Sequence, residues 1–153
     1  MADVVAEQFN WSIRYPGPDK KFGRTDPKLV DFTNPFGIDA ADEAGKDDVF
    51  SVNDLRFPVD RKVRVRLTSK DVIHSFFIPS FRVKQDAVPG MAIPVWFQPT
   101  LVGDYEITCA QLCGVGHAAM RADVKVLPQE DFDSWLAGLA PKKEAAAQVL
   151  EEW

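Results

Sequence analysis

The chain has 153 residues, of which 46% are hydrophobic and 27% charged, so it is long enough to bury one core and has a globular composition. Its formal net charge of −5 argues against binding to nucleic acid and weakly favours basic partners. No window reaches the roughly 18 apolar residues of a membrane helix, and MADVVAEQF at the start does not resemble a signal peptide. We therefore expect either a cytoplasmic protein or a soluble piece of a larger one.

Alternating apolar residues predict a first strand in QFNWSIRYPG (8–17). Its large apolar side chains share one face: Phe9, Trp11, Ile13 and Tyr15. From residue 16 to residue 48 the sequence changes to Pro, Gly, Asp and Lys. This composition predicts a long surface excursion with few buried residues.

Strands return after the excursion. In RKVRVRLTS (61–69), Val63, Val65 and Leu67 alternate with basic residues, as in a half-buried strand. The other predicted strands are VFSVNDL (49–55), DVIHSFFIP (71–79), IPVWFQPT (93–100), GDYEITC (103–109) and ADVKVLP (122–128). Short strands at this spacing are typical of an antiparallel sandwich or barrel.

The period of the apolar residues changes near the end of the chain. In PQEDFDSWLAGLA (128–140) they lie at i, i+3, i+4 and i+7, which predicts an amphipathic helix with Pro128 near its start. Residues 141–153 predict a second helical segment. The predicted organisation is one domain over residues 1–140, followed by a helical tail or linker.

Residues 109–120, CAQLCGVGHAAM, hold both cysteines, one of the two histidines and one of the three methionines. They lie on the predicted loop between two strands. The chain has enough Cys and His for a zinc site, but this spacing is uncommon for zinc and leaves Met120 unexplained. A redox dithiol or a catalytic cysteine also leaves Met120 without a role, and the pair lacks the CxxC spacing.

Copper accounts for the whole set, because thiolate, imidazole and thioether together suit copper electron transfer. One copper needs only one cysteine, whereas two thiolates four residues apart can bridge two metal ions. The second imidazole is then His74, the only other histidine. For His74 and Met120 the alternative is a plain role in the core. The candidate side-chain ligands are His74, Cys109, Cys113, His117 and Met120.

These segments resemble a known family. CAQLCGVGHAAM is similar to the CxExCGxxHxxM signature of the CuA domain in subunit II of haem-copper cytochrome c oxidases. DVIHSF (71–76) resembles that family's upstream histidine motif, KQDAVPG (84–90) its following loop, and QFNWSIRYPG the segment after its second membrane helix. The resemblance covers residues 7–139. It implies an all-β fold, a cupredoxin-like Greek-key barrel or sandwich with a C-terminal helix.

The resemblance also implies a dinuclear copper centre in which both thiolates bridge the two ions. By the family pattern, His74 and Met120 complete one copper, while His117 and the main-chain carbonyl of Gln111 complete the other. The implied function is to accept one electron from a cytochrome c-type donor and pass it to haem in subunit I of a terminal oxidase.

In the family this domain lies on the outer face of the bacterial plasma membrane, after two membrane helices. We therefore expect a soluble fragment that reaches the membrane only through those helices, and a cytochrome c domain is one continuation to consider after residue 153. Gln111 replaces the family's glutamate, whose carboxylate helps to bind an interface magnesium. Phe9 and Trp11 occupy the positions of two family tryptophans. The alternatives are a stand-alone copper carrier and the CuA domain of nitrous oxide reductase.

Overall fold

The computed structural model describes residues 1–139, which form ten β-strands and one α-helix. In chain order these are β1 (Ala2–Glu7), β2 (Asn10–Tyr15), β3 (Val49–Val52), β4 (Asp54–Pro58), β5 (Val63–Ser69), β6 (His74–Ile78), β7 (Val83–Ala87), β8 (Ile93–Phe97), β9 (Gly103–Cys109), β10 (Arg121–Leu127) and α1 (Gln129–Leu139). Short 3-10 helices at Pro27–Leu29, Glu43–Gly45, Pro79–Phe81 and His117–Ala119 lie in the connections.

The strands form two five-stranded sheets that share one apolar core. The first sheet has the order β3-β2-β1-β5-β8, and the second has the order β4-β10-β9-β6-β7. The predicted all-β, cupredoxin-like class with a C-terminal helix is confirmed. Two pairs, β1 with β5 and β10 with β4, are parallel, which differs from the antiparallel arrangement that the strand spacing predicts.

The alternating pattern of β5 and the helical pattern of α1 predict their buried faces correctly. Val63, Val65 and Leu67 are buried in the core, whereas Arg64 and Arg66 are exposed. The apolar residues of α1 pack against the same core: Phe132, Trp135, Leu136 and Leu139. Within residues 1–139, no helix has the length and apolar character needed to cross a bilayer. The helix predicted for 141–153 lies outside the described residues.

Strand β1 has no counterpart among the predicted strands, although it lies at the centre of the first sheet. Residues 2–6 are all buried, including Asp3, so the segment shows neither alternation nor a purely apolar run. The carboxylate of Asp3 is tolerated there because Arg66 and Arg14 lie against it. A charged pair that forms only across strands cannot be recognised in a local pattern.

The strand predicted over 49–55 is two strands in different sheets, β3 and β4. Asn53 separates them in the left-handed backbone region, at φ 54°. Its side chain accepts a hydrogen bond from the Trp11 N–H at 2.8 Å, and its own N–H donates to the Trp11 carbonyl at 2.9 Å. Asparagine adopts this conformation more readily than most residues, so it marks the point where the chain changes sheets.

Residues 84–90, which the resemblance predicts to be a loop, overlap strand β7 at the edge of the second sheet. This strand pairs with β6, so that Ala87 lies opposite His74. Lys84 and Asp86 are exposed. Charged residues are common on edge strands because they discourage pairing with other chains, and they remove the apolar alternation on which prediction depends.

The excursion over residues 16–48 has no fully buried apolar side chain, as its composition predicts. Its buried residues are Gly17, Gly23, Gly37, Gly45 and Asp48. Arg14 of β2, which is completely buried, donates from Nε to Asp48 Oδ2 at 2.9 Å and from a terminal nitrogen to the Gly23 carbonyl at 2.7 Å. A buried ion pair therefore attaches the excursion to the first sheet.

Candidate metal centre

Three neighbouring strands of the second sheet place predicted ligands at the same end. His74 is the first residue of β6, Cys109 is the last residue of β9, and Met120 directly precedes β10. Strand β9 lies between β6 and β10. The Cys109 N–H donates to the Met120 carbonyl at 3.1 Å, and the Ala110 N–H donates to the Ser75 carbonyl at 3.0 Å. These bonds close the base of the loop that carries the remaining ligands.

The loop over 110–119 folds tightly against the turn between β1 and β2. Gly114 has φ +134°, and a Cβ atom there would lie only 2.7 Å from Gln8 Nε2. A Cβ atom at Gly116 would lie 2.4 Å from Phe9 Cδ2. Gly116 is therefore required by the close approach of the Phe9 ring, and Gly114 by its backbone conformation. The aromatic segment and the cysteine loop are thus in direct contact.

The sulfur atoms of Cys109 and Cys113 lie 3.7 Å apart, and both cysteines are free thiols. His74 Nδ1 lies 3.9 Å from Cys109 Sγ. The main-chain oxygen of Gln111 lies 3.1 Å from the same sulfur, although the Gln111 side chain is exposed. The side-chain nitrogen or sulfur atoms of His74 and the two cysteines all lie within 4.8 Å of one another.

The second sulfur has its own neighbours. Cys113 Sγ lies 3.6 Å from His117 Nδ1 and 3.7 Å from Met120 Sδ. The structure therefore brings together all the candidate residues around one pair of sulfur atoms: His74, Cys109, Gln111, Cys113, His117 and Met120.

The candidate ligands differ in how far they are shielded from water. His74, Cys113 and Met120 are exposed by 4% or less, and Cys109 by 8%. His117, by contrast, is only half-buried. Between these positions the side chains of Leu112 and Val115 project fully into solvent. The centre therefore lies under a thin loop that is close to the surface on the His117 side.

Asp71 is a charged neighbour that the sequence analysis does not identify as part of the site. Its Oδ1 atom lies 2.8 Å from His74 Nε2. Burial alone raises the pKa of Asp71, but hydrogen bonds from His74 and from the N–H groups of Gln8 and Val72 lower it below its usual value. In the sequence, its position three residues before His74 in DVIHSF is a signal by which Asp71 could have been identified.

Aromatic residues surround His74 on its other side. Trp11 is completely buried and meets the His74 ring edge-on at 6.3 Å and the Phe76 ring at 5.7 Å. Phe9 is partly buried and packs beside the glycines of the cysteine loop. The ring packing restricts the rotation of His74 about its side-chain bonds.

A metal ion that binds the cysteines must displace their thiol protons. Burial, the adjacent Cys109 and the negative charge of Asp71 raise the pKa of the Cys113 thiol to about 11. The metal-free thiol is therefore protonated near neutral pH, and a metal ion must displace that proton. Two thiols, two imidazoles, a thioether and a carbonyl fit a soft metal such as copper better than a hard cation.

Comparison with known proteins assigns the family. The family model described as cytochrome c oxidase subunit II, periplasmic domain, matches residues 2–127. The alternative cytochrome c oxidase subunit 2 of Bradyrhizobium diazoefficiens is 41% identical over 135 residues, which are 88% of this chain and 49% of that protein. The chain thus spans about half the length of this curated relative.

Two solved structures share the fold. The periplasmic domain of subunit II of cytochrome oxidase (CoxB) of Bradyrhizobium japonicum has a TM-score of 0.67 at 31% identity, over 93% of each chain. The mixed disulfide between a thioredoxin-like protein and the CoxB domain has a TM-score of 0.62 at 28% identity, over 92% of this chain and 90% of that one. Since the family model matches most of the sequence and the solved domains share its fold, the chain belongs to the family of periplasmic domains of cytochrome c oxidase subunit II.

Proposed function

We propose that this domain binds two copper ions and carries single electrons in a terminal oxidase. The observation that carries the proposal is the pair of sulfur atoms 3.7 Å apart, each with its own imidazole nitrogen within 3.9 Å. A site for one copper needs only one thiolate, so a second buried cysteine at this distance supports a bridged pair of ions. The proposed ligands are His74, Cys109, Cys113, His117, Met120 and the carbonyl of Gln111.

The protein supplies a rigid and nearly dry setting for this chemistry. Copper, when bound, would supply a centre that takes up and releases one electron. The ends of β6 and β9 hold His74 and Cys109 in fixed positions, and Met120 is anchored through its carbonyl. Ligands on rigid strands keep their positions in both oxidation states.

The proposed partners rest on the family match and on the net charge of the chain. We propose that a cytochrome c-type donor delivers the electron and that haem in the catalytic subunit I receives it, which makes the domain part of an oxidoreductase complex. The net charge of −5 favours a basic donor. The family match supports an oxidase over a stand-alone copper carrier or nitrous oxide reductase.

The family match also supports a location for the domain. We place the domain on the outer, periplasmic face of a bacterial plasma membrane. We also propose that residues 1–140 are the copper domain and that 141–153 are a tail or linker. We propose that the domain meets the membrane only through the oxidase to which it belongs.

The cysteine pair must be reduced before it can bind copper. A relative's domain has been solved as a mixed disulfide with a thioredoxin-like protein. We propose a partner of the same class here. Its thiolate attacks a Cys109–Cys113 disulfide, which forms a mixed disulfide and releases one cysteine. Its second thiolate then displaces the other cysteine, so the pair gains two electrons and two protons while the partner becomes a disulfide.

The test is to load the reduced protein with copper, measure copper per chain and record an electron paramagnetic resonance spectrum. We expect two coppers per chain and hyperfine splitting from two equivalent nuclei, which gives more lines than a lone copper. Cys113→Ser is the control, and we expect it to give at most one copper with a single-nucleus pattern. One copper per chain in the fully loaded wild type would contradict the proposal.

A further inference from the structure

Gln8, in the turn between β1 and β2, is hydrogen-bonded to two segments of the candidate metal centre. Its backbone N–H donates to Asp71 Oδ2 at 2.7 Å, and its side-chain Nε2 donates to the Cys113 carbonyl at 2.6 Å. The other oxygen of Asp71 lies 2.8 Å from His74 Nε2. A continuous chain of hydrogen bonds therefore runs from His74 through Asp71 and Gln8 to Cys113.

These hydrogen bonds join two connecting segments that lie outside the strands. Residues 70–73 connect β5 to β6, and residues 110–119 carry the second cysteine. The Val72 N–H also donates to Asp71 at 2.6 Å, so the carboxylate organises its own turn. On the other side, the space beside Gly114 is filled by Gln8, since a Cβ atom there would lie 2.7 Å from its Nε2.

We propose that Gln8 and Asp71 are positioning residues that hold the His74 ring and the Cys113 loop in ligating positions before metal binds. Neither residue is a metal ligand. The benefit for copper binding rests on the proposed function, whereas the positions of the His74 ring and the Cys113 loop are properties of the metal-free protein.

Asp71 acts by selecting one form of the His74 ring. A neutral imidazole carries its proton on either nitrogen, and the partner of one nitrogen decides which. The ionised Asp71 accepts from Nε2–H, which leaves the lone pair of Nδ1 free on the side of Cys109 Sγ. Among residues 1–139, His117 Nε2 has no such partner, so His117 provides an internal comparison.

Gln8 acts by fixing a peptide group. The bond from its amide to the Cys113 carbonyl holds the peptide between Cys113 and Gly114 in one orientation. Because this peptide adjoins the Cys113 side chain, its orientation keeps Sγ close to the sulfur of Cys109, at 3.7 Å. Without the bond, the loop must be ordered by the metal itself, at a cost in conformational entropy.

The first test is ¹⁵N NMR of the histidine rings in reduced, metal-free protein, at a pH of about 8 where imidazole is neutral. We expect His74 to be the Nε2–H form in the wild type and a mixture of both forms in Asp71→Ala. Asp71→Asn keeps an acceptor oxygen and should restore the Nε2–H form. The His117 signals should be the same in all three proteins. Unchanged His74 nitrogen shifts in Asp71→Ala would overturn the role of Asp71.

The second test is amide hydrogen exchange in the metal-free protein. Gln8→Met keeps a similar shape but has no donor, and we expect exchange in residues 110–119 to become at least about tenfold faster. Gln98→Met is the matched control, because the Gln98 amide also donates to a carbonyl, that of Asp60, at the opposite end of β5. Equal exchange of this loop in Gln8→Met and wild type would overturn the role of Gln8.

The reduction potential of the copper-loaded protein gives a third readout. A carboxylate that accepts a hydrogen bond from a ligand imidazole makes that ligand more basic, which favours the oxidised metal. We therefore expect Asp71→Ala to raise the potential, and an unchanged potential would contradict this part of the inference. A mononuclear centre in the wild type would overturn the proposed function but would leave both metal-free tests standing.

Discussion

Met120 and Cys113 are buried sulfur residues whose sulfur atoms lie 3.7 Å apart, yet as proposed copper ligands they should differ in strength. A thiolate is a strong, charged ligand, whereas a thioether is weak and adjusts the potential more than it holds the metal. We expect Met120→Leu to keep two coppers with a shifted potential, and Cys113→Ser to lose the dinuclear centre. Copper analysis with paramagnetic resonance measures both. Equal copper loss in the two variants would refute this ranking.

The thiol of Cys113 also predicts a pH dependence of stability. Its pKa rises to about 11 in the folded protein from an ordinary value of 9.0, chiefly through burial. The folded state therefore binds this proton more tightly than the unfolded state does. The stabilisation that this bound proton gives to the folded state is fully present below about pH 9 and is lost as the pH rises from 9 toward 11.

Urea unfolding of the metal-free, reduced protein at several pH values measures this effect. Cys113→Ser is the comparison, because serine does not titrate in this range. We expect the free energy of unfolding of the wild type to fall more steeply above about pH 9 than that of the variant. Parallel curves for the two proteins would show that Cys113 does not cause the decline.

Arg14 joins β2 to the excursion over residues 16–48. It is completely buried and hydrogen-bonded to Asp48 and Gly23, and its Nη1 atom lies 3.7 Å from Asp3 Oδ2. Arg14→Met removes the positive charge that lies beside the buried carboxylates of Asp48 and Asp3. We expect a loss of about 3–5 kcal/mol in the free energy of unfolding, measured by urea denaturation.

Arg24 provides the control for this prediction. It forms an ion pair with Asp39 at 2.6 Å within the same excursion, but its side chain is 69% exposed. Solvent screens such a pair, so Arg24→Met should lower the free energy of unfolding far less than Arg14→Met does. If the two variants were equally stable, burial would not be what gives the Arg14 pair its importance.

The candidate metal centre exists only in the folded protein, because its candidate ligands span residues 74–120 and come together only after folding. A metal that binds only the folded state stabilises it, by about 2.7 kcal/mol when free metal is 100-fold above its dissociation constant. We therefore expect copper to raise the melting temperature by several degrees. Calorimetry of the Cys109→Ser/Cys113→Ser double variant should show no such rise, and a rise equal to wild type would place copper elsewhere.

Prediction from the sequence succeeds where the local pattern of one segment is enough to show which of its residues are buried. The alternation in β5 and the four apolar residues of α1 predict which faces are buried, because periodicity reports burial directly. It fails at β1, whose buried Asp3 depends on Arg66 from a strand far away in the sequence. It also fails at Asn53, where one predicted strand is divided between two sheets. These outcomes depend on pairing between segments that are far apart in the chain.

The residue types and spacing of CAQLCGVGHAAM predict a set of thiolate, imidazole and thioether groups suited to copper, whereas the carbonyl of Gln111 follows only from the family resemblance. How these groups are held is set by the fold. It brings His74 to the cysteines, raises the pKa of Cys113, and joins the two ligand segments through Gln8 and Asp71. The physical reason is that chemical identity is local, whereas distance, burial and hydrogen bonding depend on contacts that only the folded chain creates.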